Sequence, residues 1–360
     1  MKINFVSTEY KRSGVGTVTY NVSKKLVALG HDVTVFARTQ AQPPEPWFVP
    51  INPPAPFKNN ISYPIYAAKK IAGANADVWH GDVVEMGFAC KLAGKKPLVA
   101  SLHDAVPLIA PYKSERNRIF RLAYRLWVSQ VSKYAQALVF DSKSALSDAV
   151  ATGLPEEKCF FVYDGVDTKK FYPNPEKNRS RAKQRETPVL SYAGGFGKRK
   201  RLDRLAEALG ILRKQGVDFK LRVAGNADAQ VRGMFSKRGV RNVEFAGYVP
   251  DEKMRRFYAD SDVFVFPSDY EGFGLPVLEA MACGVPVVAI NRSSIPEVIG
   301  NAGVLCEPSA EDFAGAIAGI LADAKKRNAL SKKGVLRARE FSWDKTTRGF
   351  LKIYSKAMVD

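Results

Sequence analysis

The sequence predicts an α/β protein made of two doubly wound domains. Three observations lead there. The chain opens on strand, glycine-bearing turn, helix and strand, the βαβ order of a parallel sheet. The same order restarts at Pro188, after a charged stretch poor in apolar residues. At 360 residues the chain is long enough for two domains of ordinary size.

In chain order, residues 2–6 read as a strand, Ser13-Gly-Val-Gly16 as a loop, and 17–29 as a helix stopped by Gly30. Residues 32–37 read as the second strand. The loop lacks the third glycine of a dinucleotide fingerprint, and Phe36-Ala-Arg-Thr39 puts no acid at the end of that strand. NAD binding is therefore disfavoured. Residues 40–60 are rich in proline and read as an extended connection. Asp77-Val-Trp-His80 and residues 97–103 are further strands. His103 then stands at the carboxyl end of a parallel strand, where open α/β sheets bind ligands; the alternative is a structural histidine at a strand end. His80 is a weaker candidate, and His31 reads as structural.

Residues 112–134 form a basic amphipathic helix. Phe120, Tyr124, Trp127, Val128 and Val131 recur at helical spacing and read as core. Arg116, Arg118 and Arg121, near its start, are candidates to touch anionic lipid or an acceptor phosphate. Residues 137–142 are a strand followed by a helix cap at Ser142 or Ser144, and 171–187 read as a linker. The expected domains are therefore 1–170 and 188–342, with a last helix over 343–360.

The second domain begins with the strand 188–193. Gly194-Gly-Phe-Gly-Lys198-Arg199-Lys200-Arg201 follows, a pliant loop with four adjacent cations at the start of a helix over 202–212. Such charge suits a diphosphate: arginine binds its oxygens bidentately and lysine acts as a point charge. Asp260-Ser-Asp262 has the form of a metal motif, but its place before the strand Val263-Phe-Val-Phe266 makes it a structural junction. The most informative stretch is Glu271-Gly-Phe-Gly-Leu-Pro-Val-Leu-Glu279, with seven residues between its two carboxylates. It reads as strand end, glycine loop and helix start, with Pro276 suited to the first turn and Gly284 to the stop. Such a helix start attracts phosphate, and Glu271 and Glu279 add acceptors for hydroxyls. A nucleotide sugar fits that combination.

This run resembles the E-x7-E signature of the retaining glycosyltransferases of family 4, which have the GT-B fold. Its flanks resemble the same family, Ala259-Asp-Ser-Asp-Val-Phe-Val-Phe-Pro-Ser268 before and Glu279-Ala-Met-Ala-Cys-Gly-Val-Pro-Val-Val288 after. So do the His103-Asp-x-x-Pro107 run and Gly300-Asn-Ala-Gly303. The resemblance implies two Rossmann-like domains facing across a cleft, the last helix crossing back to the first, and the donor held mainly by the second. Gly14 and Gly16 match the loop that approaches the donor diphosphate or sugar. His103 matches a histidine beside the donor sugar and, with Glu271, is the catalytic candidate. Arg199 and Lys200 match the cations on the diphosphate, with Lys198 or Arg201 as substitutes. The usual arginine position directly after the strand is Gly195 here, which is similar to lipopolysaccharide-core enzymes with a Phe-Gly loop before adjacent Arg-Lys. The backbone near Tyr248 and Val249 matches the nucleobase grip. Gly272, Phe273, Gly274 and Leu275 match the donor loop, with Glu271 on sugar hydroxyls and Glu279 on ribose hydroxyls. Asp164 stands where asparagine is usual.

The implied activity is retaining transfer of a hexosyl unit from a UDP- or GDP-sugar to a glycan, lipid-linked or phosphorylated acceptor at a membrane face. A front-face attack, in which the leaving phosphate accepts the acceptor proton, needs no protein nucleophile. No cofactor and no essential metal are expected, because the Arg/Lys cluster can neutralise the leaving diphosphate.

Composition sets the remaining bounds. The 46% hydrophobic content suits a soluble globular protein. The four cysteines are scattered without metal or redox spacing, which points to a reducing compartment. No apolar run reaches signal-peptide or membrane-span length. The expected location is cytoplasmic, with peripheral contact at the inner face of the membrane. A net charge of +19 favours anionic partners. Nucleic acid is not expected as one, since zinc ligands, RNA-binding aromatic motifs and a helix-turn-helix are absent. The nearer alternative is a nucleotide-sugar-binding protein of the same fold acting as an epimerase, or an inactive homologue.

Overall fold

A computed structural model of the protein describes residues 1–10, 13–38, 45–59, 61–109, 118–174 and 187–359. Internal contacts divide the chain into two units, Met1–Gly165 with Trp343–Asp360, and Val166–Ser342.

The first unit contains strands β1 (Lys2–Ser7), β2 (Asp32–Ala37), β3 (Phe48–Pro50), β4 (Val78–Gly81), β5 (Leu98–His103), β6 (Ala137–Phe140) and β7 (Cys159–Phe161). They pair in parallel in the order β3-β2-β1-β4-β5-β6-β7. Helices α1 (Gly14–Ala28), α2 (Tyr63–Ile71), α3 (Val84–Leu92), α4 (Arg118–Tyr134) and α5 (Lys143–Ala151) connect them. β4 and β6 are buried at every position, as expected for parallel strands covered by helices on both faces.

One expectation needs correcting here. Helix α1 starts at Gly14 rather than after Gly16, because the Ser13 side chain caps it by accepting the Gly16 N–H at 3.1 Å. Gly14 and Gly16 are therefore first-turn helix residues, not loop residues. In α4, Phe120, Tyr124, Trp127, Val128 and Val131 are buried, in line with the core reading. Arg118 is exposed and Arg121 half-buried, whereas Arg116 lies outside the described residues.

The second unit contains β8 (Val189–Ala193), β9 (Lys220–Ala224), β10 (Val243–Gly247), β11 (Val263–Phe266), β12 (Val287–Ile290) and β13 (Val304–Cys306). Their order is β10-β9-β8-β11-β12-β13, again all parallel. The helices are α6 (Leu202–Lys214), α7 (Ala229–Ser236), α8 (Asp251–Ala259), α9 (Leu275–Ala282), α10 (Ile295–Ile299), α11 (Ala310–Ala322) and α12 (Ala324–Ala338). Phe171, assigned to the linker from sequence, is 4% exposed and packs edge-on against Tyr258. Burial of that ring places the start of the expected linker inside the second unit; residues 175–186 lie outside the described residues. Asp260-Ser-Asp262 is a junction, with the Asp262 carboxylate accepting the Val189 N–H at 2.8 Å. The chain ends with α13 (Trp343–Ala357), whose Tyr354 hydroxyl lies 2.7 Å from His80 Nδ1 in the first unit.

One glycine is required by space. A Cβ on Gly81 would lie 2.3 Å from the Gly87 nitrogen and 2.6 Å from its Cα, where α3 passes over β4. Backbone on both sides leaves no side chain to swing away. Gly81→Ala should therefore cost about 3 kcal/mol in urea unfolding; a change below about 0.5 kcal/mol would contradict this packing.

Candidate functional site

In the second unit, the loops after two adjacent parallel strands supply the charged residues. β8 leads through residues 194–197 into a 3-10 turn, Lys198–Lys200. β11, its hydrogen-bonded neighbour, leads through residues 267–274 into α9. Both loops emerge at the carboxyl edge of the sheet, and there the charges meet. Lys200 Nζ lies 2.6 and 2.8 Å from the two Glu271 carboxylate oxygens, and Arg199 Nη1 lies 3.1 Å from one of them. Arg199 also donates to the Tyr270 carbonyl at 2.7 Å. The Glu271 side chain is 8% exposed. Burial pushes its pKa up, but the Lys200 and Arg199 charges outweigh burial and hold it below the usual glutamate range. Arg199 and Lys200, both half-buried, thus form one charge cluster with the buried Glu271.

A second set of contacts fixes both loops. Asp269 accepts from Arg201 at 2.8 Å and from Arg204 at 2.5 Å, and Arg204 also donates to the Pro267 carbonyl. Arg201 has a left-handed backbone, φ 50, and its guanidinium is shared with Asp203. On the other side, the Glu271 N–H donates to Ser293 Oγ at 2.8 Å, and Ser294 Oγ donates to the Phe273 carbonyl at 2.8 Å. The non-glycine residues with positive φ among the described residues are His103, Arg201 and Ser293. Such strain gathers where the surrounding structure over-determines a site, and two of these three flank Glu271. Asp269, Arg204, Ser293 and Ser294 were not singled out from sequence. They belong to no motif, and only Asp269, two residues before Glu271, carried a positional hint.

Gly274 opens α9 with φ +110, and a Cβ there would meet Ile295 Cδ1 at 2.9 Å. The helix start keeps N–H groups outside its own hydrogen-bond ladder, which favours an anion. Gly272 and Leu275 are half-buried in this loop. Phe273 is 3% exposed and packs edge-on against Phe341, so its ring belongs to the core and only its backbone serves the loop. Glu279 lies one turn into α9 and accepts from the Tyr258 hydroxyl at 2.8 Å. Burial pushes its carboxyl up to about 7, against that hydrogen bond. The two glutamates therefore differ: one is held ionised by two cations, the other sits near neutrality. Beside Val249, the Tyr248 N–H donates to Asn226 Oδ1 at 3.1 Å, and the Tyr248 ring is 69% exposed. Asn226 is a further residue that sequence reasoning missed.

His103 lies in the first unit, at the carboxyl end of β5 with φ 58. Nδ1 lies 3.0 and 2.9 Å from the Asp141 carboxylate oxygens, and Nε2 lies 2.6 Å from the Asp82 carbonyl oxygen. A carbonyl oxygen only accepts, so both ring nitrogens donate and the ring is an imidazolium. Burial alone would lower its pKa, but Asp141 first, then Asp164 and Asp82, raise it to about 10. In this arrangement His103 is a fixed cation and not a proton-accepting base. Asp82 is buried; Thr19 donates to its Oδ2 at 2.8 Å, Ser7 Oγ also donates to Oδ2, and Oδ1 has no donor among the described residues. Burial pushes its pKa up to about 6. His80 is buried and neutral, with Nε2 2.9 Å from Ser101 Oγ; burial lowers its pKa to about 3. Gly14 and Gly16 lie in the same unit, in the first turn of α1.

The comparisons with known proteins agree with this architecture. The family profile described as Glycosyl transferases group 1 matches residues 173–337, and that described as Glycosyltransferase Family 4 matches residues 12–170. The O-antigen chain mannosyltransferase B of Escherichia coli is 45% identical over a region that spans 33% of this chain and 32% of that protein. The GDP-mannose-dependent alpha-(1-6)-phosphatidylinositol monomannoside mannosyltransferase of Mycolicibacterium smegmatis is 29% identical over 76% of this chain and 74% of that protein. Among solved structures, the sucrose-phosphate synthase of Thermosynechococcus elongatus superposes with a TM-score of 0.81 at 21% identity, covering 99% of this chain and 98% of that one. With two parallel α/β units, family profiles on both and a GT-B neighbour along nearly its whole length, the chain belongs to the GT-B glycosyltransferases of family 4.

Proposed function

We propose that the chain transfers a hexosyl unit, with retention, from a nucleoside-diphosphate sugar to a glycan, lipid-linked or phosphorylated acceptor. The observation that carries the proposal is the pair of cations, Arg199 and Lys200, gathered on the buried Glu271 beside the start of α9. That combination of charge and open N–H groups suits a diphosphate. In this reading Arg199, Lys200 and the Gly272–Leu275 backbone hold the diphosphate, Glu271 takes sugar hydroxyls and stabilises positive charge at the anomeric carbon, and Glu279 takes the ribose hydroxyls. The backbone at Val249 faces the base. The two cations neutralise the leaving group, so no metal is needed. Both similar mannosyltransferases favour mannose as the sugar, and one of them names GDP-mannose as donor. His103, a donor on both nitrogens, contributes positive charge rather than proton abstraction. That suits a front-face attack in which the leaving phosphate takes the acceptor proton.

Helix α4 supports an acceptor at an anionic membrane. No helix among the described residues is long and apolar enough to cross a bilayer. Yet Ile119, Leu122 and Leu126, at helical spacing on α4, are 69%, 61% and 54% exposed, with Arg118, Arg121 and Arg125 among them. Apolar anchors mixed with arginines match an interfacial helix.

Three outcomes are expected. In buffer with EDTA, GDP or UDP at about a hundred times its dissociation constant should stabilise the protein by roughly 2.7 kcal/mol. Glu279→Ala should weaken that effect, and no response to any nucleoside diphosphate would overturn the reading. Transfer rather than donor epimerisation should appear when products are compared with and without acceptor. Second, Glu279 has a raised pKa, so its native state holds a proton that the unfolded chain releases. Stability should fall as pH rises from about 4.5 to about 7. Without nucleotide, Glu279→Gln should then be more stable than the parent above pH 7 and equal to it below pH 4.5; equal urea midpoints at pH 8 would contradict the shift. Third, replacing Ile119, Leu122 and Leu126 with Ser, or Arg118 and Arg121 with Ser, should reduce co-sedimentation with anionic vesicles. Unchanged co-sedimentation at low salt would remove the membrane from the proposal.

A further inference from the structure

The cluster at Glu271 has a consequence for how the donor arrives. Lys200 places its ammonium on both carboxylate oxygens at 2.6 and 2.8 Å, and Arg199 adds a third contact at 3.1 Å. The side chains of Lys200, Arg199 and Glu271 are 12%, 23% and 8% exposed. An acid so placed already satisfies much of the charge that a diphosphate would seek. The same carboxylate is the group assigned to the sugar hydroxyls, and it accepts those hydroxyls well only when the cations release part of their hold.

We propose that Glu271 is a place-holder for the donor's diphosphate: it neutralises Arg199 and Lys200 whenever no donor is bound, and the arriving diphosphate takes the two cations from it. The displaced carboxylate is then the acceptor that receives the sugar hydroxyls. This rests on the assignment of Arg199 and Lys200 to the diphosphate. One exchange thereby links two events. Binding of the diphosphate releases the group that orients the sugar, so the sugar is gripped only after the leaving group is held.

The surroundings favour an exchange of partners over a movement of the loops. The Glu271 backbone is pinned by Ser293, whose Oγ accepts from its N–H at 2.8 Å and donates to its carbonyl at 3.2 Å. The cation turn is tied by Asp269, whose N–H donates to the Arg199 carbonyl at 2.9 Å while its carboxylate binds Arg201 and Arg204. With both backbones fixed, side-chain rotation is the motion left to the cluster. The cations are also kept in place between occupants, because two half-buried positive charges without an anion would repel and be costly to hold.

The proposal reverses the ordinary expectation for a binding-site residue. Removing Glu271 removes a competitor, so affinity for the free nucleoside diphosphate should rise while transfer falls. The experiment is calorimetric titration of GDP and UDP into the parent, Glu271→Gln and Glu279→Gln, with transfer assayed in parallel. Glu271→Gln should bind the preferred diphosphate about tenfold more tightly and transfer at a small fraction of the parental rate, while Glu279→Gln binds more weakly. Inorganic pyrophosphate should raise the melting temperature of Glu271→Gln more than that of the parent. Should Glu271→Gln fail to fold, Glu271→Asp keeps the charge but shortens its reach to both cations, and it should also bind the diphosphate more tightly than the parent. Equal or weaker binding by the folded variants, with the parent binding normally, overturns the place-holder role alone. A parent that binds neither diphosphate overturns the site assignment beneath it.

Discussion

The second unit depends on one interaction, the buried carboxylate of Glu271 held by Lys200 and Arg199. A glutamate 8% exposed stays ionised only if charges of the opposite sign replace the water it has lost. The two cations do that, and they come from a different loop. The sheet makes the meeting possible. β8 and β11 are hydrogen-bonded neighbours running the same way, so the loops that follow them leave at one edge. An antiparallel pair would have sent the two loops to opposite ends.

Around that pair the unit spends stability on geometry. Arg201 and Ser293 have positive φ, each costing about 1 kcal/mol or more, and both touch the loops that carry the cluster. Arg204, 5% exposed, is satisfied by Asp269 and the Pro267 carbonyl. Glu279 adds to the strain from the other end of the motif, because its burial is unfavourable to its charged form. Sites that must bind anions and hydroxyls collect such costs, since the groups that would relieve them are those the ligand needs.

The first unit uses the same edge of its own sheet differently. Asp82, His103 and Asp141 stand at or just beyond the carboxyl ends of β4, β5 and β6, and the charges turn on one another. Asp141 and the Asp82 carbonyl take both ring nitrogens, which leaves a cation with a set orientation. Asp164 is 3% exposed, and burial with the neighbouring Asp141 charge raises its pKa.

Sequence alone determined the doubly wound class, the strand–glycine–helix frame of Glu271 to Glu279, and the core stripe of α4. All of these rest on local information: apolar periodicity, β-branched runs, and glycine or proline where the backbone demands them. The family resemblance implied that Glu271, Arg199 and Lys200 share one site. Tertiary structure decided which charges touch. Glu271 lies some seventy positions along the chain from Lys200, and no periodicity reports a contact at that separation. The supporting residues Asp269, Arg204, Ser293 and Ser294 were invisible for the same reason, as was the Asp141 contact that makes His103 a cation. Exposure was equally unreadable for Phe273 and for Ile119, Leu122 and Leu126. A side chain's neighbours across the fold, and not its own chemistry, decide whether it faces a core or water.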